Sequence, residues 1–285
     1  MALEISVRNS RLFKKPLSIS EIIGNDNWSY GTLDEHARLA KGSLESGGPL
    51  IIYDNDCICR GIQVIGADSS KEIHLALNLP AADRDVKMIF ELAAKIARLW
   101  QSNHILIEGD KTDLSETEAS MEFNRKANLS LLRNSRELFN AQEYVTIFGA
   151  MLPICIPIDQ LESFGDEAES FGKYLHERQR HEAYLSVALF GQIEGIFSSV
   201  YVAFADGHII LPYEPDLRFT NQGQEHICRK SYVMVPDLFP GEKSSRMEYN
   251  DFIAGIPSEK KSEFDHKHFL LSPLTKEGLQ QIFRK

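Results

Sequence analysis

The sequence predicts an α+β fold, with a mixed, largely antiparallel sheet and helices packed on it. Three observations lead there. Short apolar segments separated by turn residues recur between Leu50 and Leu79 and between Ile196 and Val235. One long amphipathic helix is written between Asp83 and Gln101. Hydrophobic residues at 43% and charged residues at 25% mark an ordinary globular chain, and 285 residues can bury a core without metal or disulfide staples.

Leu3 to Val7 alternates apolar and polar residues and predicts a strand. Ser18-x-x-Glu21 and Thr32-x-x-Glu35 each match a capping box, in which a hydroxyl satisfies a free N–H at a helix start. They predict helices near 18–24 and 33–45. Gly47-Gly48-Pro49 stops the second, because glycine takes the left-handed cap and proline cannot continue a helix. Leu50–Tyr53, Ile58–Ile65 and Ile73–Leu79 then read as an antiparallel meander, with Asp54-Asn55-Asp56 and Gly66–Ser70 as its turns. In the long helix, Val86, Ile89, Ala93, Ile96 and Trp100 form one stripe, and Asp83 and Asp85 sit in the first turn, where the helix dipole favours negative charge. His104–Glu108 follows as a strand, so strand, helix and strand make a βαβ crossover.

Ser115–Leu138 reads as one or two exposed helices with Phe123, Ala127 and Leu131 on a shared apolar face. Tyr144–Ile158 is apolar but interrupted by Gly149, Pro153 and Pro157, which fits a strand ending in irregular structure. A helix is expected from Asp159, broken near Gly165 and resumed to about Leu185. Ala205-Asp206-Gly207 between Ile196–Phe204 and His208–Tyr213 is the strongest hairpin signal. Pro212–Glu225 and Pro236–Ser245 read as loops around a strand at Ile227–Val235. A short helix over Arg246–Ala254, a strand at Phe269–Leu271 and a terminal helix started by Thr275 complete the chain. The chain reads as a single α+β unit over 1–285 or as two packed lobes, 1–140 and 141–285.

The net charge of −10 repels phosphate backbones, and no basic patch offsets it, so no nucleic-acid partner is expected. No apolar run approaches the ~18 residues that span a bilayer, and Met1–Pro16 lacks the features of a signal peptide. Four cysteines, Cys57, Cys59, Cys155 and Cys228, are spaced for neither a disulfide scaffold nor a four-ligand zinc site. Reduced thiols favour a cytoplasmic setting. The sequons at Asn27 and Asn128 are then incidental.

Several clusters invite a chemical reading. His176-Glu177-Arg178-Gln179-Arg180-His181 resembles a zinc-protease helix, but its histidines are five apart rather than four and point in different directions. Glu177 and His181 are at i, i+4 and, with Tyr174, are the catalytic candidates; a surface salt bridge is the commoner outcome of such spacing. His266 and His268 would share a strand face and are the metal candidates, although no third ligand is identifiable. Cys57-x-Cys59 is a two-ligand fragment that reads as packing on a strand. Asp54-Asn55-Asp56 lacks the glycine and glutamate of a calcium loop. No phosphate-binding glycine run and no nucleophile elbow occurs, so no cofactor is implied. Trp28, Tyr30, Tyr213, Phe219 and Phe239 lie in loop-like stretches and suit either protein contact or satellite cores under the loops.

The stretches Leu50–Asp54, Cys59–Val64, Leu77–Pro80 with the long helix, Phe148–Ala150, Pro212-Tyr213 and His268–Leu271 occur in an order and spacing that resembles an uncharacterised bacterial protein family, domain of unknown function 4299. The resemblance covers nearly the whole chain. It implies a bacterial cytoplasmic setting and carries no catalytic residue. The functional expectation is a non-catalytic binding or regulatory protein acting through protein–protein contacts. The alternative is a hydrolase or transferase whose site is assembled only in the fold.

Overall fold

A computed structural model describes residues 1–33, 39–44, 49–140, 142–167, 169–221 and 223–284. The fold is α+β, and the chain forms two compact units, Met1–His181 and Glu182–Lys285.

The first unit opens with β1 (Ala2–Arg8), α1 (Ile19–Ile23), β2 (Trp28–Leu33), β3 (Leu39–Lys41), β4 (Leu50–Asp54), β5 (Ile62–Ile65) and β6 (Glu72–Asn78). Then come α2 (Asp83–Leu99), β7 (His104–Ile107), β8 (Asp110–Asp113), α3 (Thr117–Arg133) and α4 (Ser135–Leu138). It closes with β9 (Tyr144–Phe148), β10 (Pro153–Pro157), α5 (Ile158–Ser163) and α6 (Ser170–Gln179). Eight strands form one sheet in the order β3-β2-β4-β5-β6-β1-β7-β8. The expected crossover from β6 through α2 to β7 is present, but β1 lies between the two strands and is antiparallel to both. The large sheet is therefore antiparallel throughout.

The α2 stripe is the centre of this unit's core. Val86, Ile89, Ala93, Ile96 and Trp100 are fully buried beside Leu3, Ile5, Val7 and Leu75 of the sheet. Each large apolar side chain withdrawn from water contributes about 2 kcal/mol. Ser18 caps α1 as expected, with the Glu21 carboxylate accepting in return from the Ser18 N–H. The second expected helix does not form as read. Thr32 lies in β2 and Leu39–Lys41 is a strand, while residues 34–38 and the Gly47-Gly48 stop lie outside the described residues.

The helical stretch after β8 is present, but its buried face differs from the expected one. Phe123 is exposed and Asn128, Leu132 and Ser135 are buried. The reason is polar. Asn128 accepts from the Ala81 N–H and donates to the Ala81 C=O, both at 2.8 Å, and so turns its own side of α3 inward. Tyr144–Pro157 is a hairpin rather than one strand with a ragged end. Gln179 clamps its turn, accepting from the Met151 and Leu152 N–H groups and donating to the Leu152 C=O.

The second unit runs β11 (Ala183–Leu185), β12 (Leu189–Ile193), β13 (Ile196–Val202), β14 (His208–Pro212), β15 (Arg218–Asn221), β16 (Gln224–Ile227), β17 (Lys230–Pro236) and β18 (Ser244–Glu248). After these come α7 (Tyr249–Gly255), β19 (Lys261–Glu263), β20 (His268–Leu271) and α8 (Lys276–Phe283), the last capped by Thr275 as expected. Two four-stranded sheets, β11-β14-β20-β19 and β12-β13-β17-β18, are accompanied by the pair β15-β16. The parallel pairings β11–β14 and β13–β17 make these two sheets mixed.

Asp206-Gly207 does not close a hairpin, because β13 and β14 belong to different sheets. Asp206 instead donates its N–H to the Leu274 C=O, and a Cβ on Gly207 would stand 2.2 Å from the Phe204 ring. The turn is used to change sheets. A two-residue hairpin lies upstream, at Glu194 and Gly195, whose φ values of +53° and +79° meet the demand of a primed turn for positive φ at both central residues. Among the described residues, no helix is long and apolar enough to cross a membrane.

Candidate functional site

In the first unit the chain leaves the sheet at Asp54 and rejoins it at Ile62, so Cys57-Ile58-Cys59 is loop and not the expected strand. Local chemistry starts the departure. The Asp54 carboxylate accepts from the Asp56 N–H at 2.8 Å, a side-chain turn that replaces a backbone one. Gly61 ends it with a φ of +70°, at a point where a Cβ would stand 2.6 Å from Ile51 Cγ2. Between these points the loop is held from outside itself. The Ile58 N–H donates to His176 Nδ1 at 2.9 Å, and the Arg60 and Gly61 N–H groups donate to the two carboxylate oxygens of Asp85 at 3.0 and 3.1 Å. The Cys59 C=O accepts from the Ala150 N–H at 2.7 Å.

This anchoring sets two thiols side by side. Cys57 Sγ and Cys59 Sγ are 3.5 Å apart, and Cys59 Sγ is also 3.5 Å from the Gly172 C=O of α6. A Cβ on Gly172 would lie 3.6 Å from one sulfur and 4.0 Å from the other, so both thiols face a helix surface bare of side chain. Cys59 is fully buried and Cys57 is half-buried. Their hydrogen bond pulls the Cys57 thiol below the usual cysteine value, against burial and the Asp85 and Asp54 charges. The same bond, together with burial, pushes Cys59 far up.

The surroundings are ionic, and Asp85 is buried. Burial raises the Asp85 carboxyl to about 6, although the Arg60, Gly61 and Ala82 amides and the Arg60 charge oppose the rise. Burial also lowers the Arg60 guanidinium to about 10, with Asp85 resisting. Arg60 Nη1 donates to the Pro80 C=O at 2.8 Å. The bond from Ile58 requires His176 Nδ1 to be unprotonated, which places the ring proton of the neutral imidazole on Nε2.

The catalytic candidates do not share this arrangement. Helix α6 ends at Gln179, so Glu177 and His181 are not on one helix face, and both are exposed. Tyr174 carries the Arg178 guanidinium 3.6 Å above its ring and packs on Phe164. Of the histidine patch, His176 is the member drawn into the thiol loop. In the second unit, His266 precedes β20 and His268 begins it, which removes the shared strand face expected of them. His268 Nδ1 lies 2.9 Å from the buried Asp265 carboxylate, which also accepts from the Lys267 and His268 N–H groups at 2.8 Å.

A second feature is a sheet edge. In the order β12-β13-β17-β18, β12 is terminal, and its residues Leu189-Phe190-Gly191-Gln192-Ile193 carry neither charge nor proline. The Phe197 C=O accepts from the Arg229 N–H, so residue 197 turns its backbone toward β17. Its cross-strand partner Gln192, and with it Phe190, turns its own backbone away from β13, to the side on which no strand pairs with β12 among the described residues. One face of the β12–β13 hairpin is covered by the β15–β16 arm. There Phe190 stacks on Phe219 at 4.4 Å and Phe219 on His226 at 5.0 Å. On the opposite face Leu189 is 49% exposed and Ile196 is 36% exposed. Of the other loop aromatics, Trp28 is buried in the first core and Phe239 packs against the second, while Tyr213 is exposed.

The Cys-x-Cys spacing is visible in the sequence, but on a strand it would signify only packing. The sequence carried nothing that joins Ile58 to His176, because that contact is set only by the fold. A family model described as a domain of unknown function (DUF4299) matches residues 2–282, nearly the whole chain, and the chain belongs to that family. No curated protein and no solved structure matches it.

Proposed function

We propose that this member of the DUF4299 family is a non-catalytic binding protein that takes an extended segment of a partner protein along the open edge of β12. The observation that carries this reading is the strand itself. Edge strands are ordinarily protected by lysine, proline, bulges or cover, since their unpaired N–H and C=O groups accept any added strand. Here the outward groups of Phe190 and Gln192 are bordered by no charge within the strand. An added strand would gain main-chain hydrogen bonds from these groups. Leu189 on one face would supply an apolar contact for its alternate side chains. The free thiols favour a reducing compartment, and a bacterial cytoplasm is the setting we assign.

Gln192→Pro tests the reading. Proline removes an N–H that faces the edge and leaves the β13 ladder intact. Native lysate is passed over the immobilised wild-type and variant chains, and the captured proteins are identified by mass spectrometry. The reading expects partners retained by the wild type to be lost from a variant with unchanged circular dichroism. Equal capture by both chains would move the contact away from β12 and sink the proposal.

A further inference from the structure

The geometry points to a second site, independent of the β12 edge: Cys57 and Cys59 form a dithiol that undergoes thiol–disulfide exchange with small aliphatic disulfides. Their sulfurs are already in contact at 3.5 Å, and a disulfide requires closure to about 2.05 Å. No side chain stands between them and the Gly172 backbone of α6. The loop amides are fixed by His176 and Asp85, so the two side chains stay convergent.

The two thiols are unequal in the way that a two-step exchange needs. Cys57 is half-buried and can be reached, whereas Cys59 is fully buried and can reach only its neighbour. The hydrogen bond from Cys59 also favours the Cys57 thiolate, which is the nucleophilic form. In the first step the Cys57 thiolate attacks one sulfur of the disulfide RSSR. A Cys57–S–SR bond forms, and RS⁻ leaves with the electron pair of the broken S–S bond. In the second step Cys59 gives up its proton and attacks the Cys57 sulfur, expelling the second RS⁻. The protein dithiol is oxidised, RSSR is reduced, and the two protons lost by the cysteines end on two RSH.

The test uses the reduced full-length chain and bis(2-hydroxyethyl) disulfide near neutral pH, read by intact mass and peptide mapping. Cys155 and Cys228, both buried, serve as internal reference thiols. The proposal expects the chain to lose two hydrogens and the cross-link to map to Cys57–Cys59, with little standing adduct. In Cys59→Ser the hydroxyethylthio adduct should accumulate on Cys57. The mapping on wild-type chain decides the matter even if that variant fails to fold. Modification of Cys57 no faster than of Cys155 and Cys228 would overturn the proposal. So would a mixed disulfide on Cys57 of the wild type that never resolves.

Discussion

Asp85→Asn is a demanding test of the thiol loop, because charge and hydrogen bonding at Asp85 act on stability in opposite directions. Burial raises its carboxyl from 3.8 to about 6 in the folded chain. A folded-state value above the unfolded one means that folding takes up a proton between the two. The stability associated with this group is complete below about pH 4 and is lost as pH rises through 6. A rise of about two pH units corresponds to about 3 kcal/mol. Asparagine removes that dependence, and it also removes an acceptor. The two Asp85 oxygens serve two different amides, of Arg60 and Gly61, and an asparagine can serve one. Leaving one buried N–H without a partner costs about 2 kcal/mol.

Near pH 4 Asp85 is itself protonated and its hydroxyl oxygen is the weaker acceptor, so the variant should be less stable than wild type by at most about 2 kcal/mol there. It should gain on wild type by about 3 kcal/mol toward pH 7. Urea unfolding followed by tryptophan fluorescence reads this directly, since Trp28 and Trp100 both lie in the first unit's core. A difference between the proteins that stays flat across the range would show the carboxyl titrating normally. A difference that moves the other way would show the amides and Arg60 outweighing burial. Either result refutes the reasoning.

Two further substitutions test single buried groups. Asn128→Ala strips the partner from both the N–H and the C=O of Ala81 and should cost about 3 kcal/mol in the same urea assay. In the second unit, Tyr249 donates its hydroxyl to the Pro212 C=O at 2.6 Å from a buried position. Tyr249→Phe should lower stability by about 1–2 kcal/mol, measured by calorimetry because both tryptophans lie in the first unit.

What could be read from the sequence was what local periodicity decides. The α2 stripe needed only a 3.6-residue repeat, and all five of its residues are buried. The Ser18 and Thr275 caps needed only a hydroxyl near a free N–H. The failures share a physical cause, which is that a distant group outbid the local signal. Phe123 and Leu131 marked an apolar face on α3, but two hydrogen bonds between Asn128 and Ala81 turned the helix around. Asp206-Gly207 had hairpin chemistry, but its backbone is bonded to Leu274 and its flanking strands joined separate sheets. Cys57-x-Cys59 had strand-like spacing, but His176 and Asp85 hold the amides of Ile58 and Arg60 outside the sheet. Such outcomes depend on partners 24 to 118 positions away, and no window of sequence contains both ends.

The thiol arrangement can be checked apart from its reactivity, through Gly172. An alanine there would put a methyl at 3.5 Å from Ala82 Cβ, 3.6 Å from Cys57 Sγ and 4.0 Å from Cys59 Sγ, all ordinary contacts. Gly172→Ala should then be tolerated and gain up to about 1 kcal/mol from the lower backbone entropy of alanine in a helix. Valine is different, because its two further methyls extend into space that the sulfurs occupy. Gly172→Val should cost about 1–3 kcal/mol through overpacking. If the sulfurs are what it strikes, removing one must relieve the strain. Cys59→Ala alone leaves a small cavity in a buried place and is destabilising, yet in the Gly172→Val background it makes room for the methyl. The double variant should be more stable than the sum of the single effects predicts, by about 1 kcal/mol or more. Strict additivity would mean that Gly172 and Cys59 are not in contact, and the thiols could not converge on α6 as described.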